Sequence, residues 1–179
     1  SDEEIQYNPK SRRPVWHTDS TFRKHPPIGS IFHCRQAPPD GAATLFADTR
    51  GAYAGLDEAT KAMLEPLEAV CSLAHHDKKI SLYSPDYPNL TPKQRKANPP
   101  NRVPVVLKHP VNGIPALYGL NSSTCAIVPV GEEITGENLD KWDLEGVEDE
   151  SVLILRNLLP YITGPEFTVK WNWQPGDIV

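Results

Sequence analysis

A chain with 19 prolines among 179 residues is poorly suited to long helices. Proline has no backbone N–H, and its ring clashes with the preceding helical turn. Regular structure must therefore come in short pieces, and the sharpest periodicity present is two rather than 3.6. Phe167, Val169, Trp171 and Trp173 alternate with Thr168, Lys170 and Asn172, the pattern of a β-strand. Apolar residues make up 39% of the sequence, enough for the core of one domain spanning residues 1–179.

Other segments fill in around that strand. Ile28 to Gln36 reads as a strand that packs His33 within a sheet. Pro38-Pro39-Asp40-Gly41 reads as a turn into a second strand, Ala43 to Ala47. Asp48 or Thr49 can cap a helix through Tyr53, and Asp57 another to about Glu65. Ala52, Leu56, Ala59, Met63 and Leu67 form its apolar stripe. Residues 72–90, with the adjacent His75 and His76, read as a partly exposed loop. Thr91-Pro92 starts a short helix that ends before Asn98. Val103 to His109 and Ile114 to Gly119 read as strands joined by an Asn112-Gly113 hairpin turn. Residues 120–131 read as irregular, and the acidic 132–150 as an exposed insertion. Ser151 to Thr163 reads as a helix burying Val152, Leu155, Leu158 and Leu159. With no alternation of strand and helix of the kind that builds a parallel sheet, the expected fold is mainly β: an antiparallel sandwich or jelly roll with helical insertions.

A net charge of −5 argues against a nucleic-acid partner. No apolar run reaches membrane-spanning length, and Ser1-Asp2-Glu3-Glu4 is unlike a signal peptide. Cys34, Cys71 and Cys125 have no paired spacing and read as free thiols of a reducing, cytoplasmic setting. Homo-oligomerisation is left open.

Trp16-His17-Thr18-Asp19 is the stretch with the most chemistry. On a strand, His17 and Asp19 would point to one face with Cα atoms roughly 6.5 Å apart. An imidazole and a carboxylate could then meet on one metal ion. With a second histidine they would make the two-His-one-carboxylate set that holds non-heme Fe(II) and leaves coordination positions open. Two other readings stand beside it: a surface turn in which Asp19 is a cap, and a structural pair in which the two side chains only bond each other. Lys10, Arg12, Arg13, Arg23 and Lys24 around the motif read as solvated charges or as a positive rim for an anionic substrate.

Three separated blocks share a further resemblance. Trp16-His17-Thr18-Asp19-Ser20-Thr21-Phe22 resembles the metal motif of the taurine dioxygenase family, the Fe(II)- and 2-oxoglutarate-dependent oxygenases that include 2,4-dichlorophenoxyacetate dioxygenase. Gly41-Ala42-Ala43-Thr44-Leu45-Phe46-Ala47-Asp48 resembles the family's next block. Trp171-Asn172-Trp173-Gln174-Pro175-Gly176-Asp177 resembles the block ahead of the distal iron ligand. The resemblance implies a double-stranded β-helix (jelly roll), iron held by His17 and Asp19, and a Thr44 hydroxyl bonded to a carboxylate of 2-oxoglutarate. It implies a small-molecule substrate and O2 as partners, with hydroxylation of a small, anionic substrate and release of succinate and CO2. Asp19 at the carboxylate position argues against a halogenase. The family's second iron-binding histidine and its 2-oxoglutarate-binding arginine are expected beyond Val179. Residues 1–179 then form an incomplete oxygenase domain truncated at both ends and, taken alone, inactive. His75, His76 and His109 match no ligand position. A metal-free jelly-roll binding module that has lost catalysis is the alternative.

Overall fold

The computed structural model describes residues 16–39, 41–84, 86–121, 123–133 and 150–179. Lys10, Arg12, Arg13 and the acidic stretch 134–149 lie outside the described residues. Seven strands and five α-helices are described, and every strand pairing is antiparallel.

β1 (Thr44–Ala47) pairs with β7 (Thr168–Trp171), with Thr44 opposite Trp171 and Phe46 opposite Val169. Between them in sequence, α1 (Thr49–Gly55) starts on Asp48, whose carboxylate accepts from the N–H groups of Arg50 and Gly51. α2 (Glu58–Leu64) starts on Asp57 in the same way, through Thr60 N–H. Both caps stand where the sequence puts them, and each satisfies helix N–H groups that have no partner within the helix.

The expected stripe across these helices does not hold. The chain breaks at Leu56, so α1 and α2 present separate faces. Leu64 is fully buried, whereas Met63 is 49% exposed.

The central sheet has the order β3 (Asn101–Pro104), β2 (Leu67–Cys71), β6 (Thr124–Pro129). Neither β2 nor β6 is expected from the sequence, which reads as irregular over 120–131. β6 is a continuous buried run from Thr124 to Val128. Such a run lacks the polar–apolar alternation that reveals a strand wet on one face. The strand expected over Val103 to His109 divides at Val105. Its first half pairs with β2, and its second, β4 (Val106–Lys108), pairs with β5 (Pro115–Leu117). The hairpin between β4 and β5 turns at Gly113 with φ +70°, as Asn-Gly predicts.

α3 (Leu73–Tyr83) replaces the loop expected over 72–90. Ser72 caps it, accepting from His75 N–H. His75 and Asp77 are buried beside Ala74, so polar residues line its inner side and no apolar stripe marks it. α4 (Pro92–Ala97) carries the expected Thr91 cap, completed by Gln94 into a capping box. A 3-10 turn (Glu150–Val152) leads into α5 (Leu153–Ile162). Val152 and Leu155 are buried as expected; Leu158 and Leu159 are half-buried, and Ile162 completes the buried set.

The principal core gathers Leu64, Ala69, Val103, Leu117, Ile127 and Leu155 with their neighbours, between the central sheet and helices α1 and α5. Gly55 admits Tyr161, because a Cβ there would lie 2.5 Å from the tyrosine oxygen. That hydroxyl donates to Ala52 O at 3.2 Å and ties α5 to α1.

The strand expected over Ile28 to Gln36 is reduced to a single bridge, His33 with Ile178. Phe32 N–H donates to Val179 O at 2.8 Å, and Cys34 N–H to Asp177 O at 2.9 Å. His33 is exposed, not packed within a sheet, and Ile31 is 84% exposed. All three cysteines are free and buried. No helix among the described residues is long and apolar enough to cross a membrane.

Candidate metal centre

Residues 16–18 are not in a strand, contrary to the expectation for this motif. The chain turns at Asp19 and Ser20, with Ser20 at φ 59° and Arg23 N–H donating to Ser20 O at 2.9 Å. The turn nevertheless delivers the convergence a strand would have given. His17 Nε2 lies 3.2 Å from Asp19 Oδ1, and the side chains are 48% and 52% exposed. Two donors bound at right angles to one ion, each at about 2.1 Å, would stand about 3.0 Å apart. The observed separation is close to that, and one imidazole nitrogen with one carboxylate oxygen suits Fe(II). Donor type and spacing thus fit the metal that the sequence implies.

Among the described residues, no group of three His, Cys, Asp or Glu side chains gathers into a metal-binding cluster. His75 is buried in α3. His109 Nδ1 faces the hairpin backbone, within 3.2 Å of Val111 N and 3.4 Å of Asn112 N. His76 is half-buried, and burial is the main reason its pKa is lowered. Asp77 opposes that shift, while Lys79 and His17 add to it.

A buried polar circuit anchors the turn. Asn121 Nδ2 donates to Thr21 Oγ1 at 2.8 Å, and Ser123 Oγ donates to Asn121 Oδ1. Thr21 Oγ1 and Ser123 Oγ are 3.2 Å apart. With the Ser123 proton given to Asn121, the Thr21 hydroxyl is left to donate to Ser123, and the ring closes. Asn121 Oδ1 also accepts from Ser123 N–H at 2.8 Å. From β3, Asn101 Nδ2 donates to Thr21 O at 3.0 Å and to Arg23 O at 2.8 Å. Asn101 of β3 thus holds the backbone at Thr21 and Arg23, while Asn121 and Ser123, just ahead of β6, hold the Thr21 side chain. Sequence reading missed this set. Its only trace is a polar run, Asn121 to Thr124, directly ahead of an apolar one.

Thr44, the expected co-substrate ligand, lies at the start of β1. Pairing places Thr44, Phe46, Val169 and Trp171 on one face of the β1–β7 ribbon. Trp173, two residues past Trp171, donates its indole N–H to Thr44 Oγ1 at 2.8 Å. Trp171 donates to Asp177 Oδ2 at 3.2 Å, and the same oxygen accepts from Gln174 N–H at 2.9 Å. Arg23 and Lys24 are exposed just beyond the motif.

Known proteins are similar to this chain in sequence and fold. The family described as "Taurine catabolism dioxygenase TauD, TfdA family" matches residues 1–179. The alpha-ketoglutarate-dependent 2,4-dichlorophenoxyacetate dioxygenase of Burkholderia sp. (strain RASC) is 29% identical over 166 residues, covering 92% of this chain and 48% of the relative. The alpha-ketoglutarate-dependent sulfate ester dioxygenase of Pseudomonas putida is 29% identical over 172 residues, covering 93% and 50%. Among solved structures, AAD-2 in complex with Mn(II) and N-oxalylglycine superposes with a TM-score of 0.69 at 31% identity, covering 92% of this chain and 56% of that one. A taurine dioxygenase from Burkholderia xenovorans gives 0.63 at 27%, covering 92% and 46%. The antiparallel strands with inserted helices are thus those of the jelly-roll dioxygenases, as the sequence implied. The chain spans about half the length of the curated relatives it matches.

Proposed function

We propose, from the premise that this chain belongs to the taurine catabolism dioxygenase TauD, TfdA family, that the protein is an Fe(II)- and 2-oxoglutarate-dependent dioxygenase. It hydroxylates a small anionic organic substrate. The observation that carries the site is the 3.2 Å approach of His17 Nε2 to Asp19 Oδ1. These two side chains would hold the metal, joined by a histidine beyond Val179. Thr44 would bond a carboxylate of 2-oxoglutarate. Iron with O2 supplies the oxidising power, and 2-oxoglutarate leaves as succinate and CO2 while the substrate gains a hydroxyl group.

The protein's own part is to hold and orient. Asp19 neutralises only part of the metal charge, so an anionic co-substrate is still attracted. Thr44 offers a neutral donor that positions one end of that dianion without competing for the metal. The anionic substrate class draws support from relatives named for 2,4-dichlorophenoxyacetate, sulfate esters and sulfonates. Arg23 and Lys24 could meet such a charge, and Arg23→Glu is expected to raise KM while leaving kcat in place.

Titration with Co(II), followed by its visible absorbance, tests the metal pair. His17→Ala and Asp19→Ala should each weaken binding at least tenfold with the thermal midpoint unchanged, because a half-exposed ion pair adds only about 0–1 kcal/mol to stability. An Asp19→Ala protein that binds Co(II) as tightly as the parent would refute the assignment. A metal-free binding module would show no Co(II) isotherm at all. The 179 residues alone, bringing two ligands together, are expected to release succinate only at background. Robust turnover would place the third ligand within them.

A further inference from the structure

We propose that Trp173 is a positioning residue for the co-substrate. By donating its indole N–H to Thr44 Oγ1, it leaves the threonine proton free for a carboxylate of 2-oxoglutarate. This rests on the reading of Thr44 given above and adds a residue to it.

The argument is one of donors and acceptors. A threonine hydroxyl carries one proton and two lone pairs, and on its own it rotates to suit whatever lies near. In a strand, neighbouring backbone carbonyls compete for that proton. An indole nitrogen can only donate. At 2.8 Å, Trp173 fills one lone pair of Thr44 Oγ1. The hydroxyl proton must then point away from Trp173, toward a group that accepts. A carboxylate has lone pairs and no proton, so it is the complement of a hydroxyl fixed in this way.

The indole is itself held in place. Its ring lies 6.5 Å from that of Phe32 and 6.4 Å from that of Trp171, both tilted rather than stacked. Trp171 is fixed in turn by Asp177, which also accepts from Gln174 N–H. Strand register sets the pair as well: Thr44 lies opposite Trp171, so Trp173 is its diagonal neighbour on the same face, within reach of a long side chain.

The test uses the full chain loaded with Zn(II), which is redox-inert, and 2-oxoglutarate as the probe, titrated by calorimetry. Thr44→Val keeps the side-chain shape and removes the hydroxyl. Trp173→Phe removes the N–H. Replacing Trp173 with β-(3-benzothienyl)alanine removes the N–H while keeping the two-ring shape, and it decides the matter should Trp173→Phe fail to fold. Each single change is expected to weaken 2-oxoglutarate binding about threefold to tenfold, the range of one hydrogen bond. The double variant should bind no more weakly than Thr44→Val alone, and Zn(II) affinity should not move. The Trp173 indole N–H resonance should shift in Thr44→Val.

Trp173 variants that bind normally while Thr44→Val is impaired would overturn the inference and leave Thr44 standing. Additive losses in the double variant would also overturn it, by assigning Trp173 a packing role. If Thr44→Val is without effect, or the parent does not bind 2-oxoglutarate, the reading of Thr44 fails first. An indole resonance indifferent to Thr44→Val would deny the hydrogen bond itself.

Discussion

The central sheet and the β1–β7 ribbon are built from the same kind of strand and live in opposite surroundings. Ala69, Val70 and Cys71 of β2 are fully buried, whereas Val169 and Trp171 of β7 are 53% and 37% exposed. The sealed sheet carries Asn101 on β3 and, just ahead of β6, Asn121 and Ser123, which together grip Thr21 and Arg23 after Asp19. The open ribbon carries Thr44 and the tryptophan that bonds it. On the proposed assignment the difference teaches a division of labour: the buried element sets geometry at a distance, and the accessible one would present groups to a ligand.

Substitutions can break or sharpen that contrast. The largest effect is expected from Leu155→Ala, which empties a fully buried position and should lower stability by about 2–5 kcal/mol in urea unfolding. Next comes Asn121→Ala. It strips the partners of buried Ser123 N–H and Thr21 Oγ1, for a loss of about 1–3 kcal/mol. Unlike Leu155→Ala, it should also weaken Co(II) binding about tenfold, in the manner of groups that orient metal ligands. A variant that loses stability but keeps its metal affinity would uncouple the central sheet from the site.

Asp48→Ala should cost about 1 kcal/mol, the usual effect of a lost helix cap. The Gly51 N–H is the main cause holding the Asp48 carboxyl below its ordinary value of 3.8; burial opposes it, and the charge and hydrogen bonds of Arg50 assist. A lowered folded-state pKa means that the stabilisation is present above the ordinary value and lost as pH falls through the lowered one. Parent and variant stabilities should therefore converge in acid and separate by pH 5. Smallest of all is Val169→Ala, expected within about 0.5 kcal/mol because its side chain is already in water. A loss as large as that of Leu155→Ala would end the distinction between the two sheets.

What the sequence disclosed follows the same line. Caps and turns depend on a few adjacent residues, so Asp48, Asp57, Thr91 and Asn112-Gly113 were legible. The ribbon alternates along β7, and it too was found. β2, β6 and α3 were not, because buried strands lose alternation and a helix lined with His75 and Asp77 shows no apolar stripe. His17 and Asp19 are identifiable as candidate ligands by residue type, but their two-residue spacing suits a strand as well as the turn that joins them. The contacts of Asn101 and Asn121 with that turn exist only once distant segments meet, and no local pattern encodes them.

Those contacts set an order of events during synthesis. Thr21 and Asn121 are 100 positions apart, so the candidate ligands emerge from the ribosome well before the residues that will steady them. At roughly 5–20 residues per second, the delay is about 5–20 s. Throughout that interval His17 and Asp19 belong to a loose chain, and on the proposed assignment a firm hold on iron would wait until the second half of the chain has been made.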